Sequence, residues 1–317
     1  MAIKEPFVIF FCNLTEKLAS KSINFKEAEE IIFSLEPADL EKRISSKILQ
    51  LVHQETQTFS DVSIHTFDLA LVVARVLAKH GRVKEAYDID IDIAAQFFHI
   101  GRALYKAGGF REALVIFARA RKIYNSNEFV VDVATCDFNS AKCLRKTKEF
   151  DKALALDNNS RKVYSDYGLE FNMAECDLDM ANIFFETGRQ EKAIIYYEKA
   201  KNVFIAHDNE IEAAKCDLNA ANAFCMMGDH KRVIPVYDKV RKIFLEHGME
   251  VDAAKCRLNL ANALCETGEQ TEAIPLYKKS KKVFLQYGIG IEAKRCDVNI
   301  EIALRELGKK GKTPTFH

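Results

Sequence analysis

Asparagine side chains recur at forty-residue intervals in this chain, and their amide groups offer a defined binding chemistry. The two asparagine columns contain Asn139, Asn219, Asn259 and Asn299, and then Asn182, Asn222 and Asn262. Each amide carries both a hydrogen-bond donor and an acceptor. A ladder of amides spaced by one repeat can therefore pair with the N–H and C=O groups of an extended peptide, whatever the sequence of that peptide.

A third column at the same interval is basic in its second half. It contains Lys215, Lys255 and Arg295, whereas Glu175 of the same column and Asp179 of the first asparagine column are acidic. This change of sign predicts an acidic ligand beside the C-terminal half of the chain. The alternative is structural: the asparagines would bond neighbouring helices, and the lysines would only be solvated.

A helical wheel places these columns on one stripe. Over 214–226, the polar stripe of Lys215, Asn219, Asn222 and Met226 separates two stripes of small and apolar residues. The flanking stripes are Ala214, Leu218, Ala221 and Cys225, and then Cys216, Ala220 and Ala223. If a helix packs against neighbours on both flanks, its polar stripe must face an open groove.

Five cysteines also recur every forty residues, but their spacing does not suit disulfide bonds. They are Cys136, Cys176, Cys216, Cys256 and Cys296. Equivalent points on stacked helices lie roughly 8–10 Å apart, which exceeds the limit of about 7 Å between the Cα atoms of a disulfide. We interpret these cysteines as small packing residues in a reducing compartment.

Other chemistry finds no support in the sequence. The run at 88–92, DIDID, resembles the start of a calcium loop, yet Ile93 replaces the required glycine and His99 stands in place of the bidentate glutamate. No HExxH or GxSxG motif occurs. The sequence therefore predicts no catalytic residue, no metal site and no cofactor.

The charge balance excludes a strong general attraction to polyanions. Lysine plus arginine and aspartate plus glutamate both number 46, so the net charge is near zero. The apolar run at 6–12, PFVIFFC, is too short to cross a membrane. We expect a protein or peptide partner, no nucleic-acid or membrane partner, and a cytoplasmic location.

The forty-residue period indicates how these columns are positioned. Within one repeat, residues 251–268 and 269–288 each show helical spacing of small and apolar residues, and each ends in a glycine suited to a helix C-cap. A fixed period in the range of about 20–50 residues is typical of solenoid proteins, whose repeats contact only their neighbours.

The start of the second helix carries a recognisable motif. The segments GRQEKAIIYY at 188–197 and GEQTEAIPLY at 268–277 resemble tetratricopeptide repeats. The forty-residue period and the run NLAN at 259–262 are similar to the longer repeats of kinesin light chains and of mitotic-spindle scaffolds. This resemblance implies an all-α, right-handed α-solenoid of helix-turn-helix repeats.

The resemblance extends to one class of ligand site. In the carboxylate-clamp repeats of chaperone adaptors, matching columns of Lys, Asn and Arg hold a peptide C-terminus. The similar residues in this chain are Lys215, Asn219, Asn222, Lys255 and Arg295.

The repeat also predicts the domain organisation. We expect a helical N-terminal cap with degenerate units over 1–90, five repeats over 91–290, a capping helix over 291–308 and a disordered tail over 309–317. Within the cap, the sequence predicts a helix over 36–55 and a loop over 56–61.

The leading functional interpretation is a non-enzymatic scaffold that binds an extended acidic peptide in its groove. A second is a peptide-responsive regulator similar in style to bacterial repeat-containing quorum sensors. A third is an enzyme or enzyme subunit acting through residues 1–90.

Overall fold

The computed structural model describes residues 7–34 and 61–310, and within them the chain forms fourteen α-helices and no β-strand. The predicted helix over 36–55 and most of the predicted loop and tail lie outside these residues. A division between Val163 and Tyr164 separates two compact units.

The N-terminal unit is built by successive helix pairing. Its helices are α1 (Phe7–Ala19), α2 (Phe25–Phe33), α3 (Asp61–Lys79), α4 (Val83–Ala107), α5 (Phe110–Ser126) and α6 (Val130–Lys146), and α7 (Phe150–Asp166) contains the division. Helices α1 and α2 pack on α3, and the helices from α3 to α6 pack on one another in succession. At the start of α2, Asn24 and Glu27 form a reciprocal capping box.

Helix α4 is longer than the other helices of this unit. It is a continuous helix of 25 residues. The predicted boundary between 90 and 91 falls inside α4, because no glycine or proline interrupts the chain between Val83 and Tyr105 other than the tolerated Gly101.

The C-terminal unit contains the regular repeats. Its remaining helices are α8 (Glu170–Glu186), α9 (Gln190–Ala206), α10 (Glu210–Met226), α11 (His230–Glu246), α12 (Glu250–Glu266), α13 (Gln270–Gln286) and α14 (Gly290–Lys310). Each packs on the next helix. We call α8, α10, α12 and α14 the first helices and α9, α11 and α13 the second helices. The predicted all-α repeat solenoid is confirmed, and the helix bounds agree with the predicted ones to within two residues.

The turns between helices explain the glycine column. Gly188, Gly228 and Gly268 have φ values of +76°, +85° and +89°, in the left-handed region that glycine tolerates. Lys148 replaces the glycine of this column, and Asp208 replaces the glycine that follows the second helix; both adopt the same conformation, with φ values of +65° and +53°. The turn geometry is therefore set by the repeat and not by the glycine alone.

The forty-spaced cysteines lie in the core of the repeats. All five side chains are buried, and the nine cysteines of the chain are free thiols. Burial raises the pKa of Cys136, Cys216 and Cys256 to about 12. These groups are therefore neutral packing residues near neutral pH.

None of the helices within 7–34 and 61–310 combines the length and apolar character that a membrane span requires.

Candidate functional site

The first helices of the C-terminal unit form a polar cavity of about 350 Å³. It brings together four predicted site residues, which are Asn222, Asn259, Asn262 and Arg295. The other residues that line it are Phe185, Cys225, Met226 and Tyr237. Met226 is 70% exposed, so the cavity offers an apolar contact beside the amides.

Buried tyrosines of the second helices hold the asparagines of the first helices. The hydroxyls of Tyr237 and Tyr277 donate to Oδ1 of Asn222 and Asn262, each at 2.8 Å. Burial raises the pKa of both tyrosines, so the hydroxyls stay protonated and remain donors. A buried tyrosine needs such a partner for its hydroxyl. In the preceding repeat, Tyr197 makes the same 2.8 Å bond to Asn182.

The two asparagine columns also bond to each other across adjacent repeats. Nδ2 of Asn259 donates to Oδ1 of Asn222 at 3.0 Å, and Nδ2 of Asn299 donates to Oδ1 of Asn262 at 2.9 Å. The structural alternative therefore accounts for part of the ladder, because these amides join neighbouring helices.

Each amide nevertheless keeps some of its hydrogen-bonding capacity. Among the described residues, Nδ2 of Asn222 and Asn262 has no acceptor, and Oδ1 of Asn259 and Asn299 has no donor. Asn219 makes no hydrogen bond to any described residue. Every step of the ladder thus leaves one amide donor and one carbonyl acceptor for a ligand.

The predicted basic column carries its own counter-ions. Lys215 pairs with Glu212 at 2.6 Å, and Lys255 pairs with Asp252 at 2.9 Å, each within one helix. Because exposed pairs of this kind exchange easily with solvent and ligands, they contribute little to stability. The column is therefore less positive than the sequence suggested.

Arg295 is the cation that lies at the cavity. Its guanidinium is 3.6 Å from Glu292, a looser pair than those of the two lysines, and its side chain is 58% exposed. No carboxylate is among the described residues that line the cavity. The charge at this point is therefore positive.

Asn139 lies in the N-terminal unit and forms a hydrogen bond within its own helix. Its Nδ2 donates to the backbone oxygen of Thr135 at 2.8 Å, within α6. The other nine predicted site residues belong to the C-terminal unit.

The helical wheel placed Cys225 on a stripe that packs against a neighbouring helix, but the structure places it at the cavity. Its side chain is only partly buried, it lines the cavity, and its Sγ lies 3.3 Å from Nδ1 of His230. Burial raises the pKa of the Cys225 thiol, so it is a poor nucleophile near neutral pH. Across the part of the chain that the structure describes, no group of three or more His, Cys, Asp or Glu residues is arranged to hold a metal ion.

The sequence did not reveal the role of the tyrosine hydroxyls. Tyr237 and Tyr277 recur at the forty-residue interval and are buried, which by itself indicates only rings that fill space between helices. The spacing could have indicated the pairing, because each tyrosine follows its asparagine by fifteen residues in three successive repeats.

Two family profiles match the sequence. The family described as soluble NSF attachment protein matches residues 74–247, and a tetratricopeptide repeat family matches residues 253–283. No curated protein sequence matches the chain significantly.

Solved structures of similar fold include other repeat proteins. BtubC (BKLC) from P. vanneervenii has a TM-score of 0.52 and 17% identity, over 84% of this chain and 95% of that one. Repeats assigned to a kinesin light chain of Podospora anserina give a TM-score of 0.51 and 12% identity, over 61% of this chain and 95% of that one. The Rap conjugation gene regulator of plasmid pLS20, in complex with the Phr* peptide, gives a TM-score of 0.55 and 12% identity, over 84% of each chain. These likenesses support the tetratricopeptide-like fold.

Proposed function

This chain belongs to the soluble NSF attachment protein family, and we propose that it is a non-enzymatic scaffold or adaptor that binds an extended peptide segment of a partner protein. The proposed binding surface is the cavity lined by the first helices of the C-terminal unit. We propose a cytoplasmic location as well, which the nine free thiols support.

The remaining hydrogen-bonding capacity of the asparagines carries this proposal. The donors of Asn222 and Asn262 and the acceptors of Asn259 and Asn299 recur with the repeat. An extended peptide presents donors and acceptors in the same alternating manner. Because tyrosines and neighbouring asparagines already fix the amides, binding would order few additional side chains.

The proposed preference is for a segment with an acidic and an apolar residue. Arg295 supplies a cation at a cavity where no described lining residue is acidic. Phe185 and Met226 supply apolar surface in the same cavity. The proposed site residues therefore include Asn182, Lys215, Asn219 and Lys255 as flanking contacts, with Arg295 as the principal charge.

Selection of random linear peptides by phage display on the purified chain tests the proposal. We expect enriched peptides to combine acidic and apolar residues and to bind Arg295→Gln at least tenfold more weakly than wild type. The matched control is Arg305→Gln, which removes an exposed arginine of the same helix that is not a lining residue of the cavity. Enrichment of the same peptides by wild type and by Arg295→Gln, with equal affinity, would overturn the proposal.

A second candidate function is a peptide-responsive regulator, and the bond between Asn259 and Asn222 favours it. Because one amide pair joins adjacent repeats and also faces the cavity, a peptide that engages these amides would alter the contact between α10 and α12. Small-angle scattering with a selected peptide would then show a change in the radius of gyration. An unchanged scattering profile at saturation would favour the plain adaptor.

A further inference from the structure

A ladder of ion pairs joins each second helix to the following first helix. In the C-terminal unit, Lys201 lies 2.6 Å from Asp217, and Lys281 lies 2.6 Å from Asp297. Arg121 and Asp137 make the equivalent 2.6 Å pair within the N-terminal unit. The partners are sixteen residues apart in every case, so the repeat itself builds a cation beside a carboxylate at this position.

One repeat breaks this ladder. Sixteen residues after Arg241 the chain has Arg257 in place of the aspartate. Arg257 is partly buried and makes no hydrogen bond or ion pair with a described residue. Burial and the nearby Arg241 lower the pKa of the Arg257 guanidinium, but an arginine side chain is not deprotonated in proteins and keeps its charge.

The preceding repeat shows what the missing carboxylate does. Asp217 lies 2.6 Å from Lys201 and also 3.5 Å from Lys239, so one carboxylate holds two cations. The residue at the position of Lys239 one repeat later is Lys279, which is exposed and has no ion pair among the described residues. We call Arg241, Arg257 and Lys279 the Arg257 cluster.

The neighbouring acid does not neutralise this cluster. Asp238 accepts from Arg241 at 2.6 Å, but it also lies 2.9 Å from Lys242. One carboxylate is therefore shared by two cations of its own helix. The charge of Arg257 is left without a counter-ion from the described residues.

The equivalent position of the preceding repeat is open, and Arg257 itself is partly exposed. In the preceding repeat, Lys201, Asp217 and Lys239 line a cavity of about 480 Å³ between second helices. The residues of the Arg257 cluster are each forty positions after these three, on α11, α12 and α13. It contains none of the residues that line the asparagine cavity, so the two surfaces are separate.

We propose that the Arg257 cluster is an anion-binding site that takes a carboxylate side chain from an acidic segment of a partner protein. The bound carboxylate would supply the negative charge that Asp217 and Asp297 supply in the adjacent repeats. A guanidinium binds a carboxylate through two parallel hydrogen bonds, which favours an arginine at this central position over a lysine.

A capped, fluorescein-labelled hexaglutamate peptide tests the site by fluorescence anisotropy at low, fixed ionic strength. All measurements use an Arg295→Gln background, so that binding in the asparagine cavity does not contribute. We expect Arg257→Gln to weaken peptide binding at least tenfold. Lys281→Gln removes the same charge from a repeat in which Asp297 already pairs with the lysine. We expect this variant to change the affinity less than twofold.

Arg257→Asp provides a second measurement, because it restores the carboxylate that the other repeats have. We expect this variant to fold with wild-type helicity, to have a higher melting temperature and to lose peptide binding. Equal affinity in wild type and Arg257→Gln, or equal losses in Arg257→Gln and Lys281→Gln, would overturn the proposed site. Displacement of the peptide by micromolar inorganic phosphate at matched ionic strength would overturn the choice of a carboxylate as the ligand.

Discussion

The Nδ2 group of Asn259 donates a 3.0 Å hydrogen bond to Oδ1 of Asn222, and the same Oδ1 accepts from the hydroxyl of Tyr237 at 2.8 Å. One carbonyl oxygen therefore receives two donors, from the second helix of its own repeat and from the first helix of the next. This arrangement fixes the side-chain amide while its Nδ2 remains available. The asparagine columns consequently have a packing role and a proposed binding role at the same time.

Removing a tyrosine hydroxyl should measure the packing role. Tyr277→Phe deletes the donor to Asn262 but keeps the buried ring, so we expect the free energy of unfolding to fall by about 1 kcal/mol. Tyr287→Phe is the control, since its hydroxyl bonds Glu250 on the exposed surface. Its removal should cost less than about 0.5 kcal/mol. Urea denaturation followed by circular dichroism checks both values, and equal stabilities for the two variants would contradict the assigned role of Tyr277.

Substitutions of two asparagines of α10 should differ in their effect on stability, although both should weaken peptide binding. Asn222→Ala leaves the hydroxyl of Tyr237 and the amide of Asn259 without their acceptor, so we expect a loss of about 1–3 kcal/mol. Asn219→Ala breaks no hydrogen bond to a described residue and should cost less than about 0.5 kcal/mol. If the groove binds peptides, both variants should bind a selected peptide more weakly. A loss of stability in Asn219→Ala as large as that in Asn222→Ala would show that the two positions are equivalent.

The sequence predicted the helix pairs well because the same contacts between helices recur every forty residues. The column of Ala193, Val233 and Ala273 is buried at every step, which fixes the register of neighbouring helices. Irregular segments lack this redundancy. Among the helices that the structure describes, α4 has no equivalent of the same length, and its 25 residues could not be deduced by comparing repeats.

The candidate site was predictable in its position but not in its hydrogen bonds. A helical wheel identifies which side of α10 carries Asn222, but not which way the amide turns or whether Tyr237 reaches it. The ion pairs of the basic column were not predicted either. Glu212 stands one turn before Lys215 in the sequence, and intrahelical pairing neutralises charges that a column of cations alone would leave free.

The cysteines should differ strongly in reactivity. Burial raises the pKa of Cys216 and Cys256 to about 12, whereas Cys225 and Cys265 are only partly buried. We expect iodoacetamide at pH 8 to label Cys225 and Cys265 well before the five forty-spaced cysteines, because the thiolate is the reactive species. Mass spectrometry of the native, non-reduced protein measures the order of labelling. A disulfide between any two of the forty-spaced cysteines would contradict the stacking of the helices.

Asp90 in the N-terminal unit should make stability depend on pH. Burial raises its pKa from 3.8 to about 6, against an opposing effect of Arg75. Between these values the folded carboxyl keeps a proton that the unfolded one has lost, so stability should fall as the pH rises from about 4 to 6. Asp90→Asn should remove this slope and raise stability at pH 7 by about 1 kcal/mol, a value reduced for solvent screening.

Asp88 provides the matched control for this prediction, since it is an exposed aspartate on the same helix α4. Asp88→Asn changes the net charge equally, but its carboxyl lies in solvent, so we expect the pH dependence of wild type to persist. Thermal denaturation at half-unit steps between pH 4 and pH 7.5 distinguishes the variants. If Asp90→Asn kept the wild-type slope, or if Asp88→Asn lost it to the same extent, burial of Asp90 would not be the source of the dependence.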